Sequence, residues 1–148
     1  MRHVVIDTNC LVQMISKRSP YRRAWDAFLE GSYFMCVSNE IINEYHEILN
    51  RVASADVAEY IVNAILRHPN TKRYDPRFRF RLIQEDDDDN KFVDCAIIAG
   101  ADYIVSEDSH FQVLSRIPYP KVLVKRLDDF IEDLFPMKNQ KYIKYLFH

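Results

Sequence analysis

The sequence predicts an α/β domain: a central, mostly parallel sheet between layers of helices, in a three-layer α/β/α arrangement. Three observations carry this. Short runs rich in β-branched residues alternate with helix-length segments from one end of the chain to the other, the pattern of parallel strands joined by crossover helices. The short runs are apolar throughout, as buried strands are. The 148 residues fit one domain with one sizeable core, and no repeat, low-complexity stretch or linker divides them.

Taken in order, residues 3–6 are too short for a helix and rich in Val and Ile, so they read as the first strand. Residues 8–15 look helical. Ser19 followed by Pro20 is a helix start, with proline at the first helical position, and Gly31 stops that helix after Glu30. Residues 33–37 form a second strand. Residues 39–52 form an amphipathic helix, with Ile41, Ile42, Tyr45, Ile48, Leu49 and Val52 on one stripe. Ser54 caps the next helix, which runs to about Arg67 and ends before Pro69. Phe78, Phe80 and Leu82 alternate with Arg77, Arg79 and Arg81, which predicts an extended segment. After the acidic run Glu85–Asp89, the residues Phe92, Val93, Ala96, Ile97 and Gly100 give a helical face. Residues 103–105 and 122–124 are the third and fourth strands, and a last helix runs from Asp128 through Phe135. The domain is expected to span residues 1–135, with 136–148 a basic, aromatic tail of the same domain.

Composition excludes several function classes. Gly31 and Gly100 are the only glycines, so GxGxxG and GxxxxGK[ST] are absent and dinucleotide or P-loop chemistry is not expected. The formal net charge of -2 gives no global argument for nucleic-acid binding. Cys10, Cys36 and Cys95 are odd in number, contain no CxxC pair and lie among apolar neighbours, so they are expected to be reduced core thiols. The first residues reach a charge too soon for a signal peptide. No apolar run approaches the ~20 residues that span a bilayer. A cytoplasmic protein without membrane contact is therefore expected.

The chemistry is sought where open α/β sheets bind ligands, beyond the carboxyl ends of the strands. Asp7, Thr8 and Asn9 follow the first strand. Ser38 follows the second, with Glu40 and Glu44 on the helix behind it. Ser106, Glu107 and Asp108 follow the third, and Asp86–Asp89 open the helix that leads into it. Four segments thus send acids toward one edge. Carboxylates gathered in a pocket repel one another, and loss of water makes this worse. Either some stay protonated or a divalent cation neutralises them. Hard oxygen donors favour Mg²⁺ or Mn²⁺, and such a centre suits phosphodiester hydrolysis.

These residues resemble the motifs of the PIN-domain family. The strand Val4-Val5-Ile6 ending in Asp7-Thr8-Asn9 is similar to the family's opening. Ser38 followed six residues later by Glu44 is similar to its second motif. Asp89, seven residues before Ala96, resembles the third, and Tyr103-Ile104-Val105-Ser106-Glu107-Asp108 the fourth. The four motifs occur in order from residue 4 to about 125. Within the family, the chain looks most like the VapC-type toxins of toxin–antitoxin pairs.

The resemblance implies a PIN-like fold and a Mg²⁺- or Mn²⁺-dependent endoribonuclease. Asp7, Glu44, Asp89 and Asp108 would be its catalytic, metal-binding acids, and Asn9, Ser106 and Asp94 its supporting groups. Ser106 stands where threonine is commoner and keeps the hydroxyl. Asp86, Asp88 and Asp94 compete with Asp89 for the third acid position. The implied partners are an RNA substrate, an antitoxin protein that blocks the acidic pocket, and a second copy in a homodimer.

Simpler readings stand beside these. Asp7-Thr8-Asn9 also suits a helix cap, Glu44 a solvated face, Glu85–Asp88 a solvated helix start and Asp108 a turn. No histidine shows ligand spacing, and His110, near the site in sequence, is expected to be a bystander. Lys17, Arg18, Arg22 and Arg23 suit either phosphate contacts or ordinary surface. An acid-pocket phosphatase would place a second Asp where Asn9 stands. A receiver domain would match Lys125 but lacks its strand-end Asp. A non-catalytic PIN-like module that binds RNA or protein is the third alternative. A phosphodiesterase assay with and without Mn²⁺ separates them.

Overall fold

The computed structural model describes residues 1–136, so the tail expected after Pro136 lies outside the described residues. Five strands form one all-parallel sheet: β1 (His3–Ile6), β2 (Phe34–Val37), β3 (Thr71–Arg73), β4 (Tyr103–Val105) and β5 (Val124–Lys125), in the order β3-β2-β1-β4-β5. The helices are α1 (Thr8–Ile15), α2 (Arg22–Leu29), α3 (Asn39–Val52), α4 (Ala55–Arg67), α5 (Asn90–Ala99) and α6 (Leu127–Leu134). Two 3₁₀ segments, Asp87–Asp89 and Ser109–Arg116, complete the order.

The three layers follow from the strand sequences. Successive strand residues point to opposite faces, and Val4, Val5 and Ile6 are all fully buried, as are Met35, Cys36 and Val37. Both faces of the sheet are therefore covered, as an all-parallel sheet requires. Helix α5 packs across β1, β2 and β4, while α1 packs on α2 and α3. The three cysteines are free and buried. Among the described residues no helix is long and apolar enough to cross a membrane.

The predicted starts and stops hold where the side chain makes the bond itself. Ser38 Oγ accepts from the Ile41 amide at 3.2 Å and Ser54 Oγ from the Val57 amide at 3.0 Å, which caps α3 and α4. Gly31, the predicted stop of α2, has φ 81°, whereas Gly100, expected on the helical face of α5, instead ends that helix in the left-handed conformation at φ 61°. On the stripe of α3, Val52 is the exception: it is exposed where the helix ends.

Four expectations are corrected. Residues 77–82 are not a strand. Arg81 has φ 54°, which breaks an extended run, and Arg79 pairs with Glu40 at 2.5 Å. The backbone here is satisfied by side chains of α5. Asn90 brackets both polar groups of Ile83, and Asp94 accepts from the Phe80 amide. Strand β3 was not anticipated, because its Thr-Lys-Arg sequence at the sheet edge carries no apolar signal. The last strand is Val124–Lys125, not 122–124. Helix α2 begins at Arg22, two residues after Pro20.

Candidate active site

In the order β3-β2-β1-β4-β5, the chain leaves β1 to one side for β2 and β3 and returns on the other for β4 and β5. The crevice beyond the carboxyl ends of β1 and β4 is thus the switch point where open sheets bind ligands. Ile6 pairs with Val105 in register, so the residues that follow them, Asp7 and Ser106, emerge side by side. Asp7 is held there from two sides. Its amide donates to the Val105 carbonyl at 2.9 Å, and the buried Tyr45 hydroxyl of α3 donates to the carbonyl of Ile6 just before it.

Ser106 ties the first and fourth motifs together. Its hydroxyl donates to Asp7 Oδ2 at 2.8 Å and accepts from the Asp108 amide at 3.0 Å. Asp108 caps the 3₁₀ segment Ser109–Arg116, with its carboxylate accepting from the His110 amide at 2.9 Å. Asp89, only 8% exposed, closes the first 3₁₀ turn and stands at the N-terminus of α5. Glu44 reaches the cleft from α3. The Thr8 hydroxyl donates to its Oε2, and Lys91 Nζ lies 2.7 Å from its Oε1.

The acids feel one another. Burial, reinforced by the charges of Asp89 and Glu44, pushes the Asp7 carboxyl up to about 6, while hydrogen bonds from Ser106 and the Thr8 backbone pull the other way. Burial, with repulsion from Asp108 and Asp86, pushes Asp89 up to about 6 against the His110 hydrogen bond. The hydrogen bond to Asp89, with Asp108 and Glu85 nearby, raises the His110 imidazole above its ordinary value.

Asp7, Asp89 and Asp108 are thus brought together, with Glu44 beside Asp7 and its charge compensated by Lys91. Two expected supporting residues are not in this group. Asn9 is exposed. Asp94 is almost fully buried but turns toward residue 80, and its Oδ2 has no partner among the described residues. Of the basic candidates, Arg22 is tied to Asp26 and the Ile15 carbonyl, and Arg23 lies over the Phe135 ring.

The sequence reading missed Thr8 and Lys91 as partners of Glu44, and it took His110 for a bystander. His110 instead lies against four carboxylates, nearest Asp89 at 3.2 Å. Asp86, Asp89 and His110 each offer a ligand atom, all within 4.8 Å of one another. One signal was available: an Asp at a turn accepts from the backbone amide two residues on, which ties residue 110 to the Asp108 carboxylate.

Comparison with known proteins gives two findings. The family model described as PIN domain matches residues 3–110. The fold is similar to a chain of the crystal structure of VapBC2 from Rickettsia felis bound to a DNA fragment from their promoter. The TM-score is 0.57 at 15% identity, over 84% of this chain and 98% of that one. No curated protein matches the sequence.

Proposed function

Since this chain belongs to the PIN-domain family, whose members are generally nucleases, we propose that it is an endoribonuclease that uses a divalent cation, Mg²⁺ or Mn²⁺, and acts as the toxin of a toxin–antitoxin pair. One observation carries the reading: Asp7, Asp89 and Asp108 converge at the β1/β4 switch point, with a single hydroxyl, that of Ser106, joining two of them.

The residues fit a divalent cation. Asp7 and Asp89 are buried carboxylates whose proton affinity is raised first by desolvation and then by neighbouring carboxylates, costs that a bound cation would offset. The nearby ammonium, Lys91, is already engaged by Glu44. Asp7, Asp89 and Asp108 would hold the ion, with Asp86 within reach. When bound, such an ion supplies charge neutralisation at the phosphate and lowers the pKa of water.

The chain's own residues supply the rest. The packed end of β1 fixes Asp7, and Ser106 orients Asp7 and Asp108 against each other. The Thr8–Glu44–Lys91 set fills the flank of the cleft. In the proposed hydrolysis, water oxygen bonds to phosphorus, the P–O3′ bond breaks and the 3′ oxygen takes a proton. The products are 5′-phosphate and 3′-hydroxyl ends. The fold likeness to VapBC2 supports the toxin assignment, and an acidic cleft suits a basic antitoxin segment as its plug.

The test is incubation of the purified chain with single-stranded RNA in Mn²⁺, in Mg²⁺ and in EDTA, followed by end mapping. Cleavage lost in EDTA and leaving 3′-hydroxyl ends is expected. Cleavage undiminished by EDTA, or 2′,3′-cyclic phosphate ends, would refute the mechanism. Cleavage of DNA alone would refute the substrate.

A further inference from the structure

The imidazole of His110 stands where the acids converge. Its Nδ1 lies 3.2 Å from Asp89 Oδ2, 3.4 Å from Asp108 Oδ1 and 4.0 Å from Asp86 Oδ2. These oxygens come from two segments of the chain, the turn before α5 and the end of β4. The other nitrogen, Nε2, faces Glu85 Oε2 at 3.5 Å. A metal-bound histidine is commonly set this way. An outer carboxylate takes one N–H, which leaves the lone pair of the other nitrogen for the ion. The ring is also delivered by packed structure. The His110 amide is bonded to Asp108, and the next side chain, Phe111, is buried against Phe92 of α5.

We propose that His110 ligates the divalent ion of this site through Nδ1, beside Asp89 and Asp86, and that this nitrogen makes the site favour Mn²⁺ over Mg²⁺. The inference rests on the metal reading of the preceding subsection and departs from the all-carboxylate site that the sequence motifs imply. The preference follows from donor chemistry. Mg²⁺ takes oxygen ligands and retains several waters, whereas imidazole suits transition ions. An all-oxygen shell would discriminate little between the two. Glu85 is then a positioning residue, which acts through the tautomer of His110.

Two measurements test this. The first is pulsed EPR on the wild-type chain loaded with Mn²⁺, where a directly bound imidazole gives ¹⁴N modulation of the electron spin echo. The second is competitive titration of Mn²⁺ and Mg²⁺ into wild type, His110→Gln and Asp89→Asn, with unfolding in metal-free buffer to establish that each variant is folded. Expected are ¹⁴N modulation in wild type and its loss in His110→Gln. The wild-type preference for Mn²⁺ should fall about ten-fold or more in that variant, the scale on which losing a supporting group weakens a metal site. Asp89→Asn should weaken both ions. Mn²⁺ bound without ¹⁴N modulation, or an unchanged Mn²⁺/Mg²⁺ ratio in His110→Gln, overturns the nitrogen ligand and leaves the metal reading intact. No Mn²⁺ binding by the wild type overturns both.

Discussion

Asp7 combines a structural position with a charge the structure does not neutralise, and the two can be separated by experiment. Its carboxyl titrates near 6 in the folded chain against an ordinary 3.8, so the folded state binds this proton more tightly than the unfolded state does. Its favourable contribution is therefore complete below about pH 4 and is lost as the pH rises through 6. Asp89 acts in the same direction. In metal-free buffer, stability should fall between pH 4 and 6. Asp7→Asn, which keeps the shape and can still accept from Ser106, should flatten that fall and gain up to about 3 kcal/mol at pH 7. RNA cleavage by the same variant should drop by a factor on the order of 10² or more, as when a strong electrostatic stabiliser is removed. Urea unfolding across pH and a cleavage assay on one preparation provide the check. A variant that unfolds more easily, with activity lost only in proportion, would make Asp7 a mere cap.

At the scale of elements, α5 does two jobs at its two ends. Its N-terminus presents Asp89 and Lys91 to the cleft, and its side chains Asn90 and Asp94 hold the irregular segment around residues 80–83. Its C-terminus turns at Gly100, whose amide bonds back to the Ala96 and Ile97 carbonyls. A Cβ there would meet nothing within 4 Å, so Gly100→Ala suffers only the left-handed backbone penalty, about 1–2 kcal/mol. The denaturation midpoint should fall accordingly, while the cleavage rate of the folded fraction stays at the wild-type level, because the cleft is at the other end of the helix. A rate loss beyond the unfolded fraction would show that the turn into β4 also sets the position of Ser106.

For the whole molecule, the proposed cation site predicts a linkage between folding and cation binding. A ligand that binds only the folded state at a hundred times its Kd adds about 2.7 kcal/mol. In a chain of this size that raises Tm by on the order of 5 °C or more. Thermal scans should show this rise with Mn²⁺, its reversal by EDTA and a smaller rise in Asp7→Asn. A Tm indifferent to Mn²⁺ in wild type would count against any ion in the cleft. The net charge of -2 hides this centre: a near-balanced total does not report the local gathering of Asp7, Asp89 and Asp108 at the ends of β1 and β4.

What was legible in the sequence is what depends on neighbours along the chain. The apolar runs of β1, β2 and β4, the serine cap of α4 and the glycine stop after α2 are local, and each was readable. The places of Asp7 after β1 and Asp108 after β4 were readable for the same reason, whereas Glu44, inside α3, and Asp89, within an acidic run, were singled out by the motif spacing. Where backbone bonds go to distant side chains, local pattern failed. The alternating Arg and Phe residues at 77–82 looked like a strand, but Asn90 and Asp94 bind that backbone instead. Strand β3 is polar because it lies at an edge, and only the carbonyls and amides of β2 make it a strand. The tertiary structure alone decided the partners: Ser106 between Asp7 and Asp108, Thr8 and Lys91 on Glu44, and His110 among four carboxylates. Contacts between residues 21, 47 or 99 positions apart are set by how the sheet orders its strands, and no periodicity along the chain encodes that order.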